Sequence, residues 1–127
     1  MALDKLLVLF KRLTTASSSG KINWQRGSES SVFVSSFPNY SVSIEEEQYF
    51  DEEIGEPSVT YKLSILDQLG DIVEVVHPGT LVSLGERDAY QQLQTLHESA
   101  RRKAMGVDKA IDEIISILEL VDDEPPF

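Results

Sequence analysis

The sequence predicts an α+β fold: an N-terminal helix, a five-stranded antiparallel β-meander, and one or two C-terminal helices packed on one sheet face. Three observations carry this expectation. Apolar residues recur at helical spacing near the start, alternate at a period of two through the middle, and return to helical spacing after Ser83. Turn-forming residues separate the alternating runs at short intervals, which antiparallel neighbours allow and parallel crossovers do not. The length of 127 residues fits a single domain spanning residues 1–127.

Residues 1–16 read as a helix. Leu3, Leu6, Leu7, Phe10 and Leu13 follow the i, i+3, i+4, i+7 pattern of one apolar stripe, with Asp4, Lys5, Lys11 and Arg12 off it. Val8 also falls on the polar side. Ser17-Ser18-Ser19-Gly20 then ends the helix with turn formers.

The sheet is expected over residues 21–77. Ile22 and Trp24 alternate with polar residues in the first strand, and Gly27-Ser28-Glu29-Ser30 turns it. Ser31 to Phe37 forms the second strand, closed by Pro38-Asn39. Tyr40, Val42 and Ile44 give the cleanest half-buried alternation, and all three are expected to face the helices. Val59, Tyr61, Leu63 and Ile65 form the fourth strand, and Asp67-Gln68-Leu69-Gly70 turns it back. Asp71 to Val76 is the fifth, closed by a turn at Pro78-Gly79.

Residues 83–121 read as helical. Ser83-Leu84-Gly85-Glu86 matches a capping box, in which Ser and the Glu three residues later satisfy free N–H groups reciprocally. Ala89, Leu93, Leu96, Ala100 and Ala104 then share a face. Gly106 is a candidate stop and Asp108 a candidate new N-cap. Val107, Ala110, Ile111, Ile114, Ile115, Leu118 and Val121 give a wide apolar face to a final helix. Residues 122–127 read as a polar, proline-containing tail.

Charge is unevenly distributed. Twelve acids and one base, Lys62, lie between Gly27 and Glu86, and the chain carries a formal net charge of −11. Such an excess repels phosphate backbones and anionic lipid, so neither nucleic acid nor membrane is the expected partner. The apolar run Leu6–Phe10 is five residues, too short for a secretory core of about 7–15 or a span of about 20. Cysteine is absent, which removes disulfides, thiolate metal sites and cysteine nucleophiles. A cytoplasmic location is the expectation.

No catalytic motif stands out. There is no G-x-S-x-G, no G-x-G-x-x-G and no G-x-x-x-x-G-K-[ST]. His77 lies in a turn and His97 borders an apolar stripe, and isolated histidines in such places more often serve structure than chemistry. Arg101-Arg102-Lys103 fans around about 200° of a helix, so it forms no flat phosphate-binding face. Compensation of the helix dipole and pairing with nearby acids explain it better. Trp24, Tyr40 and Tyr61 fit core positions better than a ligand cavity. No catalytic, cofactor-binding or metal-binding residue is expected, and no cofactor.

The segment Glu45 to Glu56 holds seven acids in twelve residues and reads as an acidic loop over 45–56. A calcium site would need the alternating ligand series of an EF-hand, which is missing. A solvated loop protecting a sheet edge accounts for the charge run. The functional alternative is docking to a basic protein. There, Glu46, Glu47, Glu52 and Glu53 would steer the partner, and Tyr49 and Phe50 would supply short-range contact.

The strings Gly20-Lys21-Ile22-Asn23-Trp24 and Ala100-Arg101-Arg102-Lys103-Ala104-Met105-Gly106-Val107-Asp108-Lys109-Ala110-Ile111-Asp112 resemble those of small uncharacterised bacterial proteins. That resemblance implies a helix, a β-meander and C-terminal helices in one domain, and no activity. Together these readings favour a non-enzymatic protein-interaction domain with an acidic binding surface. A homodimer is open to it, because Val8 and Leu120 lie off their stripes and Ala100 and Ala104 permit close helix packing. An inhibitor or immunity-type protein mimicking nucleic-acid charge comes second. A small enzyme or ligand-binding protein comes third.

Overall fold

The computed structural model describes residues 2–123 and confirms the α+β class. The N-terminal helix α1 (Ala2–Ser18) leads into a sheet of β1 (Gln25–Arg26), β2 (Val32–Ser36), β3 (Ser41–Asp51), β4 (Glu56–Leu66) and β5 (Ile72–Val76). Three helices follow: α2 (Pro78–Ser83), α3 (Ala89–Ala104) and α4 (Val107–Asp123). The strands lie in sequence order and every neighbouring pair is antiparallel, a simple meander.

Helix α1 buries Phe10 and Leu13, with Leu6 packed at the edge of the core. It runs two residues past the expected stop because Ser17 and Ser18 stay helical. Gly20, at φ +73°, then closes it: its N–H donates to the Ser17 carbonyl at 3.0 Å, and the Lys21 N–H donates to Ala16 at 2.9 Å. That pair of bonds is a Schellman motif, and its left-handed residue favours glycine. Leu3 lies outside the described side chains, and residues 124–127 of the expected tail lie outside the described residues.

The first strand is shorter than expected. Only Gln25 and Arg26 pair with β2, while Trp24 enters the core from the unpaired approach. Phe33, Val42, Ile44, Leu63 and Val76 line up across the helix-facing side of the sheet, through the pairs Phe33↔Ile44, Ile44↔Leu63 and Leu63↔Val76. The period-two reading therefore holds for Val42 and Ile44. It fails for Tyr40, which sits before the strand in the Phe37–Tyr40 turn and is 53% exposed. Asp67 organises the β4–β5 turn, its carboxylate accepting from the Leu69 and Asp71 N–H groups at 2.9 and 3.0 Å.

Two helix starts differ from expectation. Pro78-Gly79 opens α2 rather than closing a turn, since proline at the first helical position is pre-set in φ and lacks only a hydrogen that would go unused. This short helix carries the fully buried Leu81 into the core. Ser83 is thus the last residue of α2, and its hydroxyl donates to the Thr80 carbonyl at 2.7 Å. The capping box with Glu86 does not form; Glu86 pairs instead with Lys11 at 3.1 Å, tying the α2–α3 connection to α1.

Helix α3 lies over β1 to β4 and beside α1, burying Ala89, Leu93, Leu96 and Ala100. Ala100 is fully buried and Ala104 packs against the core, so their contact is an internal one. Gly106, at φ +65°, breaks the helical region, so α3 and α4 are separate. Helix α4 has α3 as its main neighbour and does not cover the sheet.

Candidate interaction surfaces

The acidic segment is not a loop. Residues 45–51 continue β3, and eleven consecutive pairs with β4 run from Ser41↔Leu66 to Asp51↔Glu56. Only Glu52-Glu53-Ile54-Gly55 turns the chain, held by the Gly55 N–H donating to the Asp51 carbonyl at 2.8 Å and by the Glu53 N–H donating to the Asp51 carboxylate at 3.0 Å. Cross-strand chemistry makes the strand tolerable. Glu45 and Glu47 share Lys62 on the open face, at 3.4 and 3.8 Å. Glu46 points to the helix side and accepts from the Tyr61 hydroxyl at 3.2 Å. Opposite charges across a ladder stabilise it, whereas three unpaired acidic neighbours would not.

The six docking residues therefore do not form one patch. Glu46 is committed to Tyr61 and Glu47 lies near Lys62. Tyr49 and Phe50 are 47% and 62% exposed, but as strand neighbours they point to opposite faces of the hairpin. Glu52 and Glu53 occupy the turn, with Ile54 exposed beside them. What remains is an acid-tipped arm with one exposed aromatic on each face.

A polar cleft of about 940 Å³ opens where the ends of α1 and α3 meet β3 and β4, lined by Ser17, Glu46, Tyr61, His97, Ser99 and Arg101 among others. His97 is buried, its ring packed at a tilt against Phe33 and Tyr61, with centroids 5.3 and 5.4 Å away. Its Nε2 is 2.9 Å from the Ser31 carbonyl; a carbonyl only accepts, so Nε2 carries the proton and donates. His97 thereby ties α3 to the β1–β2 turn. The Ser17 hydroxyl accepts from the Trp24 indole N–H at 2.9 Å and lies 2.9 Å from the Ser99 hydroxyl. Ser17 is engaged with Trp24 and Ser99, and Ser99 with the Ser17 hydroxyl and carbonyl, an arrangement that locks packing rather than readying a nucleophile.

Two of the three bases at the end of α3, Arg101 and Arg102, are paired. Arg101 grips Glu98 through two nitrogens, at 3.0 and 2.5 Å, and Arg102 reaches Asp108 at 2.6 Å. The Arg101 hydrogen bonds hold the Glu98 carboxyl below its ordinary range, and Glu98 in return raises Arg101. The Lys11 contact likewise lowers Glu86. Burial pushes the Tyr61 phenol up, reinforced by the Glu46 carboxylate. Among the described residues no group of three or more His, Cys, Asp or Glu is placed to hold a metal ion. No helix among them is long and apolar enough to cross a membrane.

An extended unpartnered apolar surface lies on α4. Every residue from Asp108 to Val121 is exposed, including Ile114 at 56%, Ile117 at 59% and Leu118 at 55%. Sequence reasoning found this face and assigned it to the sheet. The sheet side was already filled by α1, α2 and α3, and the surplus of apolar stripes over available core was the signal to read. Comparison with protein families, with curated proteins and with solved structures gave no match.

Proposed function

We propose that this chain is a non-enzymatic protein-interaction domain acting in the cytoplasm, with an acidic arm and an apolar helix as its binding surfaces. The observation that carries this reading is α4, whose isoleucine- and leucine-rich face lies open on a helix supported mainly by α3. Exposed contiguous apolar surface of this kind marks association sites. The absence of cysteine supports the location, and the net charge of −11 favours a basic protein over nucleic acid or lipid for the arm.

The charge-mimic reading comes second. A row of acids imitating phosphates needs unpaired carboxylates, and Lys62 partly neutralises Glu45 and Glu47. The free acids concentrate at the tip instead.

The arm is tested by affinity capture from cells of the native host at low and high salt, followed by surface plasmon resonance with the captured protein. Replacing Glu47, Glu52 and Glu53 by Gln lowers the association rate roughly tenfold at low salt and little at high salt, because steering is screened. The melting temperature changes little, since Glu52 and Glu53 lie in the exposed turn and Glu47 meets Lys62 only at 3.8 Å on the exposed face. Unchanged rates at both salts remove the arm from the binding account.

A further inference from the structure

We infer that the apolar face of α4 is covered by α4 of a second copy of this chain. The inference rests on the interaction-domain reading and names the occupant of one of its surfaces. Val107, Ile111, Ile114, Leu118 and Val121 are spaced four, three, four and three apart, the a/d spacing of a helix that packs along another helix. The residues bordering that seam along its length are Ala110, Ile115 and Ile117, all apolar. Asp112, Glu113, Ser116 and Glu119 lie on the far side. Among the described side chains the one acid flanking the seam is Asp108, at its start, which Arg102 holds.

That layout selects the partner. A basic amphipathic helix would be recognised by acids bordering the seam, where its own Lys and Arg would reach them, and the borders are isoleucine and alanine. A seam with apolar borders is its own complement, the condition for a two-fold interface in which the same patch serves both copies. Pairing two such helices leaves Asp112, Glu113 and Glu119 of each copy on the outside, away from one another.

The size also fits. The exposed part of the seam and its borders is on the order of 600 Å² per copy, so a pair buries about 1,200 Å², the lower edge of specific interfaces. The helix is 17 residues, about 25 Å long, and its many β-branched residues lower its intrinsic propensity. A helix of this kind draws most of its stability from a packed apolar face, which the single copy does not provide.

Sedimentation velocity on the full chain tests this, from about 1 to 200 µM and at roughly 50 mM and 0.5 M sodium chloride. The expected result is a mass rising from one chain to two, with a dissociation constant in the micromolar range. The complex tightens at the higher salt, because salt screens repulsion between two chains of charge −11. This is opposite in sign to the salt effect on the arm. The double variant Ile114→Asp/Leu118→Asp stays at one chain with its core melting unchanged, and Ser116→Asp on the far side dimerises like the parent. A parent chain monomeric throughout at both salts overturns the inference, as does a double variant that dimerises normally. Should the parent be monomeric while the double variant loses capture of a host protein, a foreign partner covers α4: the second copy is wrong and the interaction-domain reading survives. If neither association occurs, both are wrong.

Discussion

Val42→Asp unfolds the domain. Val42 is 4% exposed on the helix-facing side of β3, between Ser35 and Ile65 on the neighbouring strands. A carboxylate there finds no cation, and burying it unpaired costs several kcal/mol, much of the roughly 5–15 kcal/mol that holds such a domain together. Ser43→Asp, one residue along, lands on the face away from the helices, half-buried beside Val34 and Ser64 but within reach of solvent, and costs about 0.5–1 kcal/mol. Urea melts of the two variants measure the contrast. A larger loss for Ser43→Asp would mean that the pleat of β3 is reversed, and equal losses would mean that residues 42 and 43 do not sort to a buried and an open face.

The second large loss is at Trp24. Its ring is 2% exposed, and its N–H holds Ser17, which also meets Ser99, so one side chain joins α1, α3 and the entry to β1. Trp24→Ala removes the ring and leaves a cavity, at about 3–5 kcal/mol. Trp24→Phe keeps much of the packing and loses the hydrogen bond, so its loss is smaller, with the bond itself contributing about 1 kcal/mol. Thermal melts followed by far-ultraviolet circular dichroism read both. An alanine variant as stable as the phenylalanine one contradicts this joining role.

Much of the fold is legible because its signals are local. The alternation through Val42 and Ile44, and again through Tyr61 and Leu63, shows which side of each strand is buried. The stripe Ala89, Leu93, Leu96, Ala100 marks the inner face of α3. The departures arise where the deciding partner is distant in sequence. Seven acids read as a loop because composition hides the strand; Lys62 and Tyr61, which make Glu45, Glu46 and Glu47 acceptable, lie fifteen or more positions away. Ser83 and Glu86 match a cap by spacing, yet α2 claims Ser83 and Lys11 claims Glu86.

The binding surfaces follow the same rule. Glu46, Glu47, Tyr49, Phe50, Glu52 and Glu53 are contiguous in sequence, but a β-hairpin sorts them to two faces and a tip. The cleft around His97 brings Ser17 and Ser99 together across 82 positions, beyond any local pattern. For α4, periodicity reveals an apolar face and is silent on what covers it. Only the filled core shows that this chain's own sheet does not.

The open α4 face is the centre of this account, and amide hydrogen exchange at low and high protein concentration addresses it directly. Protection of the α4 amides, residues 111–121, should rise between about 1 and 200 µM as the helix gains its partner. Protection of α3 and of the β3–β4 ladder should not change, because their packing is complete within one copy. Protection of α4 that is the same at both concentrations would contradict the account.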